Sequence, residues 1–187
     1  MNVLAALQER GALLEGHFRL SSGRHSDRFV QKFRILEDPA LLEPIAREIA
    51  RSFAAVRPTL VVSAAVGGIV LGYEVARALQ IKAIFVEKEG GVAKLRRGFS
   101  IDREDRVLIV EDVVTTGGSI KEVIEVVRAH GGSIAGVAAI VQRGVAEFGV
   151  PFAALLDLPI VSYHPADCPQ CKAGEPMQDP GSRRATR

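Results

Sequence analysis

Two adjacent carboxylates, Glu111 and Asp112, close the aliphatic run Val107-Leu-Ile-Val110, and the small polar turn Thr115-Thr-Gly-Gly-Ser119 follows almost at once. Carboxylates accept hydrogen bonds from vicinal hydroxyls and can orient a hydrated Mg²⁺. A turn of hydroxyls and glycines that opens a helix offers successive backbone N–H groups to an anion, with the helix dipole behind them. Apolar strand, acidic pair and polar turn in that order describe a cradle for a molecule carrying both a sugar and a phosphate. The turn fits neither Gly-x-Gly-x-x-Gly nor Gly-x-x-x-x-Gly-Lys-[Ser/Thr], so the dinucleotide and P-loop patterns are excluded. An ordinary strand–helix turn capped by threonines is the alternative for the turn alone. It gives no reason for a buried strand to end in two carboxylates.

The surrounding pattern is what must position those residues. Apolar strands are expected at Leu60–Ser63, Ala83–Val86, Val107–Val110 and Ile134–Val141, with a fifth at Leu155–Leu158 or Val161–Tyr163. Helices alternate with them: one opens at Gly67-Gly68 and runs through Leu79, and another carries Ile120, Val123, Ile124 and Val127 at helical spacing up to Gly131-Gly132. Strands alternating with helices predict an α/β fold, a parallel sheet with helices on both faces. Ligands of such sheets sit at the carboxyl ends of the strands, where Glu111–Ser119 lies. Ahead of this region, residues 2–10 read as a short helix stopped by Gly11. Asp38-Pro39 offers an N-cap and first-turn proline for a helix with its stripe at Leu41, Leu42, Ile45, Ile49 and Phe53. Pro44 argues that the main helix begins nearer Glu43.

At 187 residues and 48% hydrophobic, the chain suits one domain, 1–187, with a sizeable core. A net charge of +2 implies no general affinity for polyanions. The absence of Trp and an aromatic content of 5% argue against a base-stacking platform, so no nucleic-acid partner is expected. No apolar run is long enough to span a bilayer. The N-terminus lacks a basic segment before a long apolar one, and the expected compartment is the cytoplasm. Cys168-x-x-Cys171 with His164 upstream supplies three possible ligands where a structural zinc takes four. Surface thiols or a turn-stabilising pair are the expectation there. His130, near a helix C-terminus, is expected to interact with the dipole.

The string Glu-Asp-Val-Val-Thr-Thr-Gly-Gly-Ser resembles the phosphoribosyl-diphosphate (PRPP) binding motif of type I phosphoribosyltransferases, in the form most similar to the orotate-specific members. Three further stretches agree. Phe18-x-Leu-x-Ser-Gly-Arg-x-Ser26 resembles the family's N-terminal hood, Ala64-Ala-Val-Gly-Gly-Ile69 its diphosphate loop, and Val141-Gln-Arg143 the strand end whose arginine contacts orotate. The resemblance implies that fold, with a hood in residues 1–36, a mobile lid loop at 87–104 and an irregular C-terminal segment at 165–187. It implies transfer of ribose 5-phosphate from PRPP to orotate, giving orotidine 5′-monophosphate and diphosphate in pyrimidine synthesis. Mg²⁺ would arrive with PRPP, no protein side chain ligating it directly, and a homodimer is implied.

Carried onto this sequence, Glu111 and Asp112 would hold the ribose hydroxyls. Val113 and Val114 would lead into a 5′-phosphate cradle of Thr115, Thr116, Gly117, Gly118 and Ser119. Orotate would meet Thr115 and Arg143, whose planar guanidinium suits a carboxylate or carbonyl edge. In the candidate lid, Lys88, Lys94, Arg96 and Arg97 would stabilise the departing diphosphate and exclude water. Two departures stand out: Ser21 and Gly67 occupy places where many members carry lysine. The lid pattern also differs, Glu87-Lys-Glu-Gly-Gly-Val-Ala-Lys replacing the common Arg-Lys-Glu-x-Lys-x-His. Transfer to a purine or to uracil is the nearest alternative. A PRPP-sensing regulator is another, but the roughly 15 residues ahead of the hood leave no room for a DNA-binding module.

Overall fold

A computed structural model describes residues 2–20 and 22–180. An N-terminal unit comes first: helix α1 (Val3–Glu9), strands β1 (Leu13–Arg19) and β2 (His25–Val30) paired antiparallel, and the single turn α2 (Phe33–Leu36). The chain then enters α3 (Pro39–Phe53) and the main sheet, made of β3 (Leu60–Ala64), β4 (Lys82–Glu89), β5 (Val92–Leu95), β6 (Arg106–Val114), β7 (Ser133–Gln142) and β8 (Phe152–Asp157). Helices α4 (Gly68–Leu79) and α5 (Gly118–Ala129) connect its strands, and the short α6 (Pro169–Lys172) lies in the tail.

The sheet runs β5-β4-β3-β6-β7-β8, parallel throughout except for the β4–β5 pair. Side-chain alternation along β6 explains the layering. Leu108 and Val110 point into a core shared with α3 and α4, through Leu42, Ile45, Ile49, Leu71 and Val75. Val107 and Ile109 point the other way, onto Ile120, Val123, Ile124 and Val127 of α5. Both faces of the central strands are therefore dry, which is why they read as unbroken aliphatic runs. Between β3 and β6 the winding reverses, since β4 lies on one side and β7 on the other. That switch point opens a crevice at the carboxyl ends of β3 and β6.

Several elements differ from the sequence expectation for identifiable reasons. Helix α3 begins at Pro39 and keeps Pro44 inside it. The Asp38 carboxylate accepts from the N–H groups of Ala40 and Leu41, and the buried stripe from Leu41 to Phe53 holds the helix despite the missing donor at Pro44. Strand β6 does not end at Val110. Its ladder with β7 continues through Glu111↔Ala139 and Val114↔Gln142, so the acidic pair lies within the strand. The fifth parallel strand is Phe152–Asp157, while Tyr163 forms only an isolated bridge to His25.

Of the segment 87–104 expected as a mobile lid loop, the first half, to Leu95, is a β-hairpin. β4 extends to Glu89, Gly90 and Gly91 turn with φ of 59° and 83°, and β5 returns to Leu95. The expected irregular tail is likewise pinned: Gln178 donates its N–H to the His17 carbonyl, and its own carbonyl accepts from Arg19 N–H. Residues 181–187 of that expectation, and Ser21, lie outside the described residues. No helix among the described residues is long and apolar enough to cross a membrane.

Replacing the α3 cap, Asp38→Ala, is expected to lower the unfolding free energy by about 1 kcal/mol. Urea denaturation should show this as a lower midpoint at unchanged slope; an unmoved midpoint would mean that the carboxylate does not hold the helix start.

Candidate active site at the carboxyl ends of β3 and β6

At the switch point the two carboxylates are almost inaccessible, Glu111 at 8% exposed and Asp112 at 2%. They are not equivalent. The Lys32 ammonium sits on Asp112, 2.8 Å from Oδ2 and hydrogen-bonded to Oδ1 at 3.1 Å, and Oδ1 also accepts from Val113 N–H at 2.6 Å. Glu111 Oε1 accepts from Asp112 N–H at 3.1 Å. Burial, and then the neighbouring Asp112 charge, push the Glu111 carboxyl up to about 8. An apparently simple pair of acids is thus one carboxylate tied to a cation and one that favours its proton at neutral pH.

Lys32 was not singled out in the sequence. It stands between β2 and α2, outside every motif, and no local pattern marks it. Its position explains Gly67. A Cβ at Gly67 would collide with the Asp112 carboxylate and come within 2.6 Å of Lys32 Nζ. Lys32 thus places an ammonium beside Gly67, where the resemblance would put a lysine in the loop itself.

Beyond Asp112 the strand delivers Val113, Val114 and the polar turn. Val114 is buried in the core, and its carbonyl accepts from Arg143 N–H at 2.8 Å, which locks the turn to the end of β7. Gly117 forms the N-cap of α5 at φ 75°, and no side chain caps the helix. The threonines are thus not spent as caps, and the first-turn N–H groups open into a pocket of about 150 Å³ lined by Glu111 and Val113 to Ile120. A Cβ on Gly117 would stand 2.5 Å from the Phe148 ring, so sterics as well as backbone angle require glycine there.

Thr115 and Thr116 also line a second pocket of about 450 Å³, together with Leu20, Arg24, Phe29, Arg143 and Ser162. Arg24 is held by Ser162, its Nε donating to Oγ at 2.9 Å. Arg143 is only partly accessible; its Nε is buried with no hydrogen-bond partner among the described residues, and burial holds its pKa below the usual arginine value. A half-buried guanidinium facing a pocket, its Nε without a partner, is suited to an anionic ligand. A different depression, between α3 and α4, is lined by Glu43, Arg47, Glu74 and Arg77. Its charges already neutralise one another in ion pairs, and it lies away from the strand ends.

The four lid cations are not gathered at the acidic pair. Lys88 bonds Glu122 of α5 at 2.8 Å, Lys94 bonds Glu89 at 2.8 Å, Arg96 lies 3.2 Å from Glu89, and Arg97 bonds Glu87 at 3.0 Å. The Arg97 contact and then burial's opposing effect set Glu87, whose carboxyl ends below its ordinary value; Lys94 and Arg96 lower Glu89 similarly.

Comparison with known proteins gives a consistent picture. Residues 34–150 match the family model described as phosphoribosyl transferase domain. The orotate phosphoribosyltransferase of Pelotomaculum thermopropionicum is 50% identical over 184 residues, 97% of each chain. That of Thermotoga maritima is 48% identical over 179 residues, 95% of this chain and 96% of the relative. Among solved structures, orotate phosphoribosyltransferase from Aeropyrum pernix superposes with a TM-score of 0.71 at 29% identity, covering 84% of this chain and 94% of that one. The Mycobacterium tuberculosis H37Rv enzyme of the same name gives 0.70 at 28%, covering 83% and 95%.

The raised Glu111 pKa makes a pH prediction. Between pH 4.5 and about 8 the folded carboxyl keeps a proton that the unfolded chain has released, so this group's contribution to stability falls as pH rises through that window. Glu111→Gln should therefore raise Tm at pH 8.5, by roughly 2–4 °C for each kcal/mol relieved, and leave it near wild type at pH 4. Calorimetry showing the same difference at both pH values would contradict the assignment.

Proposed function

The chain belongs to the phosphoribosyltransferase family, and we propose that it is an orotate phosphoribosyltransferase, moving the ribose 5-phosphate of PRPP onto orotate. The observation that carries this reading is the sharing of Thr115 and Thr116 between the phosphate-sized cradle and the larger pocket containing Arg143. A sugar phosphate in the first and a planar anion in the second would meet above the end of β6. The near-full-length likeness to proteins named orotate phosphoribosyltransferase supports the choice of base.

In this reaction the bond from C1′ to a diphosphate oxygen breaks, and its electron pair leaves with the diphosphate. A bond forms from C1′ to N1 of orotate, whose proton passes to the diphosphate product or to solvent. Both partners are anions, so the protein's work is to place them and to manage charge rather than to transfer protons. The α5 N-terminus and the hydroxyls of Thr115, Thr116 and Ser119 would bind the 5′-phosphate, with Gly117 and Gly118 allowing the backbone close. Glu111 and Asp112 would accept from the ribose hydroxyls, with Lys32 beside Gly67 at the diphosphate end. Arg143, with Arg24 nearby, would orient orotate. The donor set suits Mg²⁺ arriving with PRPP: two carboxylates, one already occupied by Lys32, do not make a closed oxygen cage. Magnesium would neutralise charge on the diphosphate.

Lys88, Lys94, Arg96 and Arg97 form the proposed lid. Closure would exchange their glutamate partners for diphosphate oxygens, so that each cation keeps an anionic partner while Glu87, Glu89 and Glu122 are released. The homodimer and the cytoplasmic setting belong to the same reading, with a neighbouring subunit's lid reaching over the site.

Incubation with PRPP, Mg²⁺ and orotate should consume orotate absorbance, whereas hypoxanthine and uracil should not react; turnover of another base without orotate would overturn the substrate assignment and leave the reaction class. Arg143→Ala is expected to raise KM for orotate by about 10- to 100-fold while changing KM for PRPP much less, the loss of one charged hydrogen bond. Lys94→Ala should lower kcat far more than PRPP affinity, and an unchanged kcat would assign the diphosphate to another lid cation.

A further inference from the structure

Away from the cradle, four side chains from three separate stretches converge. His17 lies in β1, His25 opens β2, and Cys168 and Cys171 flank the start of α6 and its first turn. One ligand atom from each lies within 4.8 Å of every other. His17 Nε2 is 3.1 Å from His25 Nδ1, 3.6 Å from Cys168 Sγ and 3.5 Å from Cys171 Sγ, and Cys171 Sγ is 3.2 Å from His25 Nδ1. The expectation of surface thiols fails for Cys168, which is buried like His17 and His25, and holds for Cys171, which is exposed. His164, the histidine closest in sequence, is not part of the group and instead caps the turn at Pro165–Asp167.

We propose that His17, His25, Cys168 and Cys171 form a tetrahedral zinc site that fastens the C-terminal tail to the N-terminal hairpin. A zinc ion with bonds of about 2.3 Å to sulfur and 2.0–2.1 Å to nitrogen sets tetrahedral edges of about 3.4 Å for N···N, 3.5 Å for N···S and 3.8 Å for S···S. The four distances from His17 Nε2 and Cys171 Sγ given above need shift only by tenths of an ångström to meet those edges, and the two remaining separations, from Cys168 Sγ to Cys171 Sγ and to His25 Nδ1, lie within 4.8 Å. Two thiolates and two imidazoles in a closed four-ligand set are the donors of a structural zinc, and soft sulfur disfavours magnesium or calcium.

The surroundings are built for a ligand role. His17 Nδ1 is 3.0 Å from the carbonyl of Glu175, which can only accept, so Nδ1 carries the proton and the Nε2 lone pair faces the group. Gln170 braces the same junction, its Nε2 donating to the Gly16 carbonyl at 3.2 Å. The tail around α6 has little apolar burial of its own; apart from Cys168 its residues from His164 to Met177 are exposed or half-buried. What joins it to the hairpin is backbone pairing, His25 with Tyr163 and Gln178 with His17 and Arg19, and a metal would cross-link these same strands. A segment too small to form a core commonly depends on such a staple. None of the four ligands lines the cradle or the adjoining pocket, so the site is independent of the substrate assignment.

The test uses tag-free full-length protein from zinc-sufficient culture. Elemental analysis should find about one zinc per chain, and replacement by Co²⁺ should give the intense visible bands and thiolate charge-transfer absorption of a tetrahedral site. The double variant His17→Ala/Cys171→Ser should lose at least about nine-tenths of the zinc, and stripping wild type with a strong chelator should lower Tm and speed proteolytic cleavage beyond Tyr163. Metal-free wild type with two titratable thiols, or with a Cys168–Cys171 disulfide, would overturn the proposal. Full zinc content in a folded double variant would also overturn it, by locating the metal elsewhere. If the variant fails to fold, the wild-type stoichiometry and cobalt spectrum decide alone.

Discussion

Burying Glu111 and Asp112 beside each other at the end of β6 costs free energy twice, once for desolvation and once for repulsion. The surrounding structure is arranged to keep both. Lys32 arrives from outside the sheet to neutralise Asp112, and Gly67 must lack a side chain so that it can. Glu111 answers the remaining strain by favouring its proton. Pairing with β7 extends past both residues, so the strain sits on a rigid ladder and cannot relax by fraying. A ligand with hydroxyls and accompanying positive charge relieves the repulsion at the place where it binds.

The same economy of charge appears in the hairpin β4–β5. Lys88 and Lys94 of the hairpin, and Arg96 and Arg97 just after it, each have a glutamate partner, and all of these side chains except Glu87 are substantially exposed. Exposed pairs contribute little to stability. In the proposed lid they would therefore be exchangeable for the oxygens of a polyanion at small cost. Stiff site and exchangeable cover thus follow from opposite burial of the same kinds of side chain.

Beside the cradle, the hairpin β1–β2 supplies Arg24 to the larger pocket, and the segment after β8 supplies Ser162, which holds it. Neither segment has a core comparable to the sheet's. Their mutual position rests on a few backbone and side-chain hydrogen bonds, an Arg19–Asp179 ion pair and the His17–His25–Cys168–Cys171 junction. The wall of the pocket is thereby coupled to the anchoring of a tail that touches no part of the cradle.

The sequence by itself determined the alternation of strands and helices, because residues that bury both faces of a strand or one face of a helix must repeat with the element's own period. It also determined the cradle, since Glu111 to Ser119 are contiguous and their order along the strand and turn is the order in which a ligand meets them. Arg143 was picked out only by the resemblance of Val141-Gln-Arg143 to a family strand end, not by any local period. Only the tertiary structure decided the rest. Lys32 and Asp112 are 80 residues apart, and His17 and Cys171 are 154 apart; no local period records such meetings. Pro44 and the lid hairpin went against local propensity because a long buried stripe and a free sheet edge outweighed it. Contacts made along the chain leave a pattern in it, whereas contacts made by folding two distant elements together leave only the residue types, which acquire their meaning once the fold has set the distance.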